Sequence, residues 1–324
     1  MKAVLCKQFG PPESLVLEEL PSPRPGAGEV VVRMRAASLN FPDVLIIQNK
    51  YQMRPPLPFS PGSEFAGEVK EVGEGVKGLK PGDRVMACTG YGAFAEEIKT
   101  EANRLVPLPE GMDYNSGAAF LLTYGTSDHA LRDRAQLKAG ETLLVLGAAG
   151  GVGLAAIDIG KAMGAKVIAC ASSADKLEVC REHGADAVIN YATEDLREKI
   201  KDLTGGKGVD VVYDAVGGPY SEPALRSTTW RGRFVVIGFA AGDIPKIPLN
   251  LPLLKGSSIV GVFWGDFVRR EPKNFAASLA QLAAWFREGK LKPHVSQTFP
   301  LAQAVDALKL MAARKVKGKV VLTA

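Results

Sequence analysis

The run Leu143-Leu144-Val145-Leu146-Gly147-Ala148-Ala149-Gly150-Gly151-Val152-Gly153 decides the fold: four apolar residues, a glycine-rich break, then a resumption at helical spacing. An apolar run with no polar alternation reads as a strand buried on both faces, the condition of a parallel sheet covered by helices. Glycines after it permit a sharp turn and close approach of a ligand to the backbone. A helix starting there offers free N–H groups and a positive dipole end, which suit a pyrophosphate. Strand, turn and helix start are the context that a dinucleotide fingerprint requires.

That fingerprint is Gly-x-Gly-x-x-Gly in its usual form. Here it reads Ala148-x-Gly150-x-x-Gly153, with Gly147 one residue earlier. Gly150, Gly151 and Val152 would offer backbone N–H groups to the pyrophosphate, and Gly153 would let helix and sheet pack closely. Downstream, the segments Leu143 to Leu146, Lys166 to Cys170, Ala187 to Ile189, Val209 to Tyr213, Arg233 to Ile237 and Ser258 to Val262 read as strands. Helical patterns lie between them, with Val152, Ala156, Ile159 and Met163 on one face of the first, and Leu177 and Cys180 in the second. The alternation predicts a doubly wound, Rossmann-type parallel sheet.

The end of the second strand discriminates between the two nicotinamide dinucleotides. An acid there binds a ribose 2′-hydroxyl and repels a 2′-phosphate. This chain has Ser172, Ser173 and Lys176 and no acid at the expected position, so the residues favour NADPH.

Upstream, Ala3 to Leu5, Leu15 to Leu17 and Glu29 to Arg35 are short strand patterns punctuated by Pro21, Pro23, Pro25, Gly26 and Gly28. Gly62 to Gly73, Arg84 to Met86 and Gly92 to Ile98 continue a β-rich lobe. A helix from about Ser116 to Leu131 bridges into the nucleotide domain. After Phe267 a long helix, about Asn274 to Arg287, precedes a helix from Ala304 to Arg314 and a closing strand, Lys319 to Thr323. The expected organisation is a discontinuous first domain, residues 1–122 and 268–324, with a nucleotide domain at 123–267.

The 324 residues are 46% hydrophobic and 23% charged, with a net charge of +5 and no long basic run, which argues against a dedicated nucleic-acid surface. The four cysteines have no Cys-x-x-Cys spacing and no clustered histidine partners, so free thiols are expected rather than a metal site or disulfides. No targeting segment and no span of transmembrane length is legible, and a cytoplasmic location is expected.

The residues resemble a family, the zinc-independent branch of the medium-chain dehydrogenase/reductases, quinone oxidoreductases related to zeta-crystallin. The resemblance runs over essentially the whole chain. It rests on Ala36-Ala37-Ser38-Leu39-Asn40-Phe41-Pro42-Asp43, Pro61-Gly62-Ser63-Glu64-Phe65-Ala66-Gly67, Gly73-Glu74-Gly75-Val76, Pro81-Gly82-Asp83-Arg84-Val85 and the glycine loop. It implies a chaperonin-10-like β-rich catalytic domain beside the Rossmann domain. Zinc-dependent relatives carry Cys near Ser38, Gly-His-Glu where this chain has Gly62-Ser63-Glu64, and a four-cysteine lobe absent here, so no metal is expected.

The resemblance also places residues. Tyr191 joins Ser173 and Lys176 around the 2′-phosphate, and Thr126, Gly238, Phe239, Phe263 and Trp264 fall where relatives line the nicotinamide and ribose. Asn40 and Tyr51 match positions at the substrate mouth, Asn40 to hydrogen-bond a carbonyl and Tyr51 to donate to a developing oxyanion. Leu45 sits where several relatives carry tyrosine. Asp158 replaces a common glutamine and reads as a surface change. The implied activity is NADPH-dependent hydride transfer to a quinone or conjugated enone, by a homodimer. An enoyl-thioester reductase and a non-catalytic NADPH-binding protein are the alternatives.

Overall fold

A computed structural model describes residues 1–324. The chain forms two compact units, Met1–Leu122 with Pro293–Ala324, and Thr123–Lys292. The second crossover thus lies at Lys292/Pro293, and the expected boundary at 267/268 is corrected. Packing explains the difference: helices Trp264–Arg270 and Pro272–Arg287 stay with the nucleotide unit. Phe275 sets its ring 5.9 Å from Trp264 and 6.5 Å from Phe267, and Ser278 donates to the buried Asp128 carboxylate.

In the first unit a mixed sheet runs in the order Val295–Pro300, Lys319–Thr323, Glu29–Ser38, Glu64–Val72, Arg84–Cys88, Val106–Pro107. Glu97–Glu101 pairs additionally with Glu29–Ser38, and all pairings but the first are antiparallel. Val30, Val32, Met34, Phe65, Val69, Val320 and Leu322 form its core with Leu308 of the helix Ala304–Ala312. The C-terminal strand joins this sheet because Lys319-Val320-Val321-Leu322 carries an apolar pattern that only a covered strand can bury, while Lys2–Leu5 pairs with Val16–Glu19 in a two-stranded sheet of its own.

In the second unit the six strands are β1 (Thr142–Leu146), β2 (Lys166–Ala171), β3 (Ala187–Asn190), β4 (Val209–Asp214), β5 (Thr228–Val236) and β6 (Ser258–Gly261). They are all parallel, in the order β3-β2-β1-β4-β5-β6. This is the Rossmann order, with its reversal between β1 and β4, where ligands bind at the carboxyl ends of the strands. Leu143 to Leu146 are completely buried, as their unbroken apolar run requires. The bridging segment is not one helix. It breaks into Tyr114–Ala118, Leu121–Asp128 and a π-helical stretch His129–Arg134.

Candidate functional site

The turn after β1 is built on glycine at two positions. Gly147 has φ +69°, and a Cβ on it would lie 2.8 Å from Val216. The left-handed residue of the turn is therefore Gly147, which leaves position 148 free to be alanine. At Gly153 a Cβ would meet the carbonyl oxygens of Gly147 at 2.4 Å and Ala148 at 2.6 Å, so only glycine lets the helix Gly151–Ala162 pack this close. Gly150 is the N-cap, and its carbonyl accepts the first helical bond from Leu154 at 2.9 Å. The N–H groups of Gly151 and Val152 precede that bond and have no helical partner.

Every cofactor residue expected from the sequence belongs to this unit, and all but Thr126 follow the carboxyl end of a strand. Gly150, Gly151 and Val152 follow β1, Ser173 and Lys176 follow β2, Tyr191 follows β3, Gly238 and Phe239 follow β5, and Phe263 follows β6. Thr126 lies on Leu121–Asp128, where only Leu122 and Thr126 escape burial. Ser173 Oγ donates to Asp175 at 2.6 Å, and Lys176 Nζ lies 3.4 Å from Ser172 Oγ. The Tyr191 ring is tilted against that of Tyr220 with centroids 4.3 Å apart, and burial pushes its phenol up to about 12, which keeps it a proton donor. Phe263 is 57% exposed, whereas Trp264 is buried with Nε1 unpaired.

One contributor is not legible in the sequence. Asp214, at the end of β4 and opposite Leu146 of β1, is buried; its Oδ1 accepts from Val216 N at 2.8 Å and Gly217 N at 2.9 Å. Its Oδ2 accepts from Ser221 Oγ at 2.6 Å, so this carboxylate shapes the loop on the far side of the switch point.

The first unit holds a buried polar cluster around Asn40. Its Nδ2 donates to Ser63 Oγ at 3.1 Å and Glu64 Oε2 at 3.4 Å, and its Oδ1 accepts from Lys319 Nζ at 2.5 Å. Glu64 Oε2 also accepts from Ser38 at 2.9 Å and lies 3.5 Å from Lys319 Nζ, while Oε1 accepts from Leu122 N at 2.8 Å. Asn40 is thus an organiser whose amide N–H groups both donate inside the protein. Sheet register builds this: Val321 stands opposite Ser38, which carries Lys319 to the level of Asn40. A lone lysine opening an apolar strand is the only sequence signal for it.

Tyr51 borders this cluster, half-buried, with no hydrogen bond on its hydroxyl. Burial raises its phenol above the ordinary value, and the neighbouring Cys88 and Asp43 push the same way. Asp43 accepts from Asn40 N at 2.7 Å through Oδ2, while the buried Oδ1 has no partner. Burial raises its carboxyl to about 7, against the Asn40 N–H and the charge of Lys319; Glu64 adds to the rise. Between the unfolded value near 4 and the folded value near 7, the unfolded chain binds fewer protons, so this group makes stability fall as pH rises through that window. Asp43→Asn is expected to remove that fall, read as urea midpoints at pH 5 and pH 8; an unchanged slope would contradict the assignment.

Two family models match, "Alcohol dehydrogenase GroES-like domain" over residues 26–110 and "Zinc-binding dehydrogenase" over residues 151–284. The first unit does not fit a zinc ion. Ser38 and Ser63 offer hydroxyls, both Glu64 oxygens are engaged, an ammonium lies 3.5 Å away, and no three His, Cys, Asp or Glu side chains group to hold a metal. The chain is 41% identical over 324 residues to quinone oxidoreductase-like protein 2 of Bos taurus, covering 99% of this chain and 92% of that protein. The crystal structure of an Escherichia coli quinone oxidoreductase complexed with NADPH matches with a TM-score of 0.94 at 32% identity, over 100% of both chains. The CurK enoyl reductase matches with a TM-score of 0.89 at 29% identity, over 99% of this chain and 98% of that one. The donor set without metal ligands, the Rossmann strand order and a relative this similar over nearly the full length agree: the chain belongs to the zinc-independent quinone oxidoreductase family of the medium-chain dehydrogenase/reductases.

Proposed function

We propose that the chain is an NADPH-dependent reductase that transfers hydride to a quinone or conjugated enone. The observation that carries this reading is the carboxyl edge of the β3-β2-β1 half-sheet, where the glycine turn, Ser173, Lys176 and the protonated Tyr191 phenol succeed one another with no acid ending β2. The E. coli structure complexed with NADPH supports it. Bound there, the reduced nicotinamide supplies the hydride.

The chain's own groups do the rest. Gly151 and Val152 N–H and the helix dipole hold the pyrophosphate, and Lys176 and Tyr191 bind the 2′-phosphate. Thr126, Gly238, Phe239 and Phe263 bound the ribose and nicotinamide. Tyr51 donates its phenolic hydrogen toward the oxygen on which charge develops, and Asn40 keeps the wall beside it fixed through Ser63 and Lys319.

The test is steady-state kinetics with NADPH and NADH against quinones, enones and enoyl thioesters. NADPH is expected to be preferred, and Lys176→Ala to raise its KM about tenfold while leaving the NADH reaction unchanged, as loss of one charge-assisted phosphate contact predicts. Equal use of NADH would overturn the cofactor assignment. Turnover confined to enoyl thioesters would favour the second reading, which the CurK likeness supports; binding with no turnover would favour a non-catalytic protein.

The assembly proposed is a homodimer. β6 is a sheet edge with one row of backbone groups open, and Ile244, Leu249, Leu253 and Leu254, just before it in sequence, are 67–79% exposed. Sedimentation is expected to show a dimer that Leu253→Asp with Leu254→Asp dissociates; a monomeric parent protein would contradict this.

A further inference from the structure

Asp158 is a buried junction rather than the surface residue its sequence position suggests. The helix Gly151–Ala162 is buried on all sides from Gly153 to Gly160, so it has no solvent face on which a carboxylate can sit. Asp158 Oδ2 accepts from the Tyr124 hydroxyl at 2.7 Å and from Lys292 N at 2.9 Å, and Oδ1 lies 2.8 Å from His183 Nδ1. These donors come from three other places. Tyr124 lies just inside the first crossover, Lys292 is the last residue before the second, and His183 ends the helix Ala174–Glu182 that starts beside Ser173.

A second tie lies one turn away. Ser127 Oγ donates to the carbonyl of Val152 at 2.9 Å and is hydrogen-bonded to the Tyr213 hydroxyl at 2.9 Å. Tyr124 and Ser127 therefore fasten Leu121–Asp128 to the glycine-loop helix at two points, on either side of Thr126. Thr126 is one of the two residues of that helix left partly open, and its hydroxyl has no partner within the protein.

We propose that Asp158, acting through Tyr124, is a positioning residue for the dinucleotide. It fixes Thr126 relative to the Gly151 and Val152 N–H groups and restrains the Lys292 segment, so that part of the ordering of the site is complete before the cofactor arrives. The proposal rests on the NADPH reading above. Its physical content is preorganisation: a wall residue held in place before binding costs less affinity than one ordered on binding.

The test measures NADPH dissociation by fluorescence titration, together with melting temperature, kcat and KM, for the parent protein, Tyr124→Phe, Asp158→Asn and the double variant. Tyr124→Phe removes one hydroxyl and leaves the ring. It is expected to raise the Kd and KM for NADPH about fivefold to tenfold with kcat at saturation within about twofold, because misplacement of a site wall is felt in binding. Asp158→Asn turns one acceptor into a donor and is expected to do the same or more. The double variant should be no worse than the worse single one, since both break one linkage. A purely stabilising carboxylate would lower the melting temperature and leave Kd unchanged, and that result in folded Tyr124→Phe overturns the proposal even if Asp158→Asn does not fold. Absence of NADPH binding by the parent protein would overturn the cofactor reading and this proposal together, whereas normal parent binding with unchanged variants overturns this proposal alone.

Discussion

Replacing Lys319 with methionine is expected to lower the unfolding free energy by about 3–5 kcal/mol, the cost of leaving a buried charge without its partner. Glu64 is fully buried, and Lys319 supplies the ammonium beside its Oε2 as well as the donor to Asn40 Oδ1. Burial holds the Lys319 amine below its ordinary value, while Glu64 and Asp43 pull it back up, so the cation is kept by the acids around it. A methionine fills much of the same volume and adds apolar contact worth about 1 kcal/mol, which is too little to offset an isolated carboxylate. Glu64→Gln with Lys319→Met should recover most of the loss, because it removes both charges. Urea unfolding of the single and double variants measures this. A loss under about 1 kcal/mol for Lys319→Met would mean the pair does not hold the closing strand in place.

Gly153→Ala is the second large effect, and its sign runs against helix propensity. In an exposed helix interior the change stabilises by about 1 kcal/mol. Here the added Cβ would sit 2.4 Å from one carbonyl oxygen and 2.6 Å from another, and both belong to backbone that cannot swing aside. Overpacking of this kind costs about 1–3 kcal/mol, so the net effect is destabilising. Relief requires the Gly147 to Gly150 turn to shift, and NADPH affinity is expected to fall by about tenfold or more with it. Gly150→Ala is the internal control. Its Cβ would lie 3.4 Å from the nearest atom, so the fold should tolerate it. Thermal melting and cofactor titration of both variants separate the cases; a Gly153→Ala protein as stable as its parent would show that the turn is not as close-packed as described.

The contrast between these two sites shows what a sequence can disclose. The nucleotide sheet is legible because each strand is a local apolar run, and the glycine turn follows from its own neighbours along the chain. The strand order and the succession of residues at the carboxyl edge then follow from βαβ handedness. Asn40 and Tyr51 can be marked, but the partners of Asn40 cannot, since Lys319 lies 279 residues away and reaches it only through sheet register. That register turns Asn40 from an expected substrate donor into the centre of an internal network. Asp158 misleads for a related reason: an acid in a helix reads as its wet face, and this helix has none. The boundary at Lys292/Pro293 is hidden by Pro272, which reads as a break but occupies the first turn of a helix that stays with the nucleotide unit.

The activity proposed for the chain is metal-independent hydride transfer from NADPH to a quinone or conjugated enone. Mixing the purified, metal-free protein loaded with one equivalent of NADPH against a quinone or an enone, and following loss of the reduced nicotinamide absorbance in a single turnover, tests it most directly. Stoichiometric oxidation of NADPH with equimolar reduced acceptor is expected, slowed in Tyr51→Phe. Bound NADPH that stays reduced with every acceptor of both classes would contradict it.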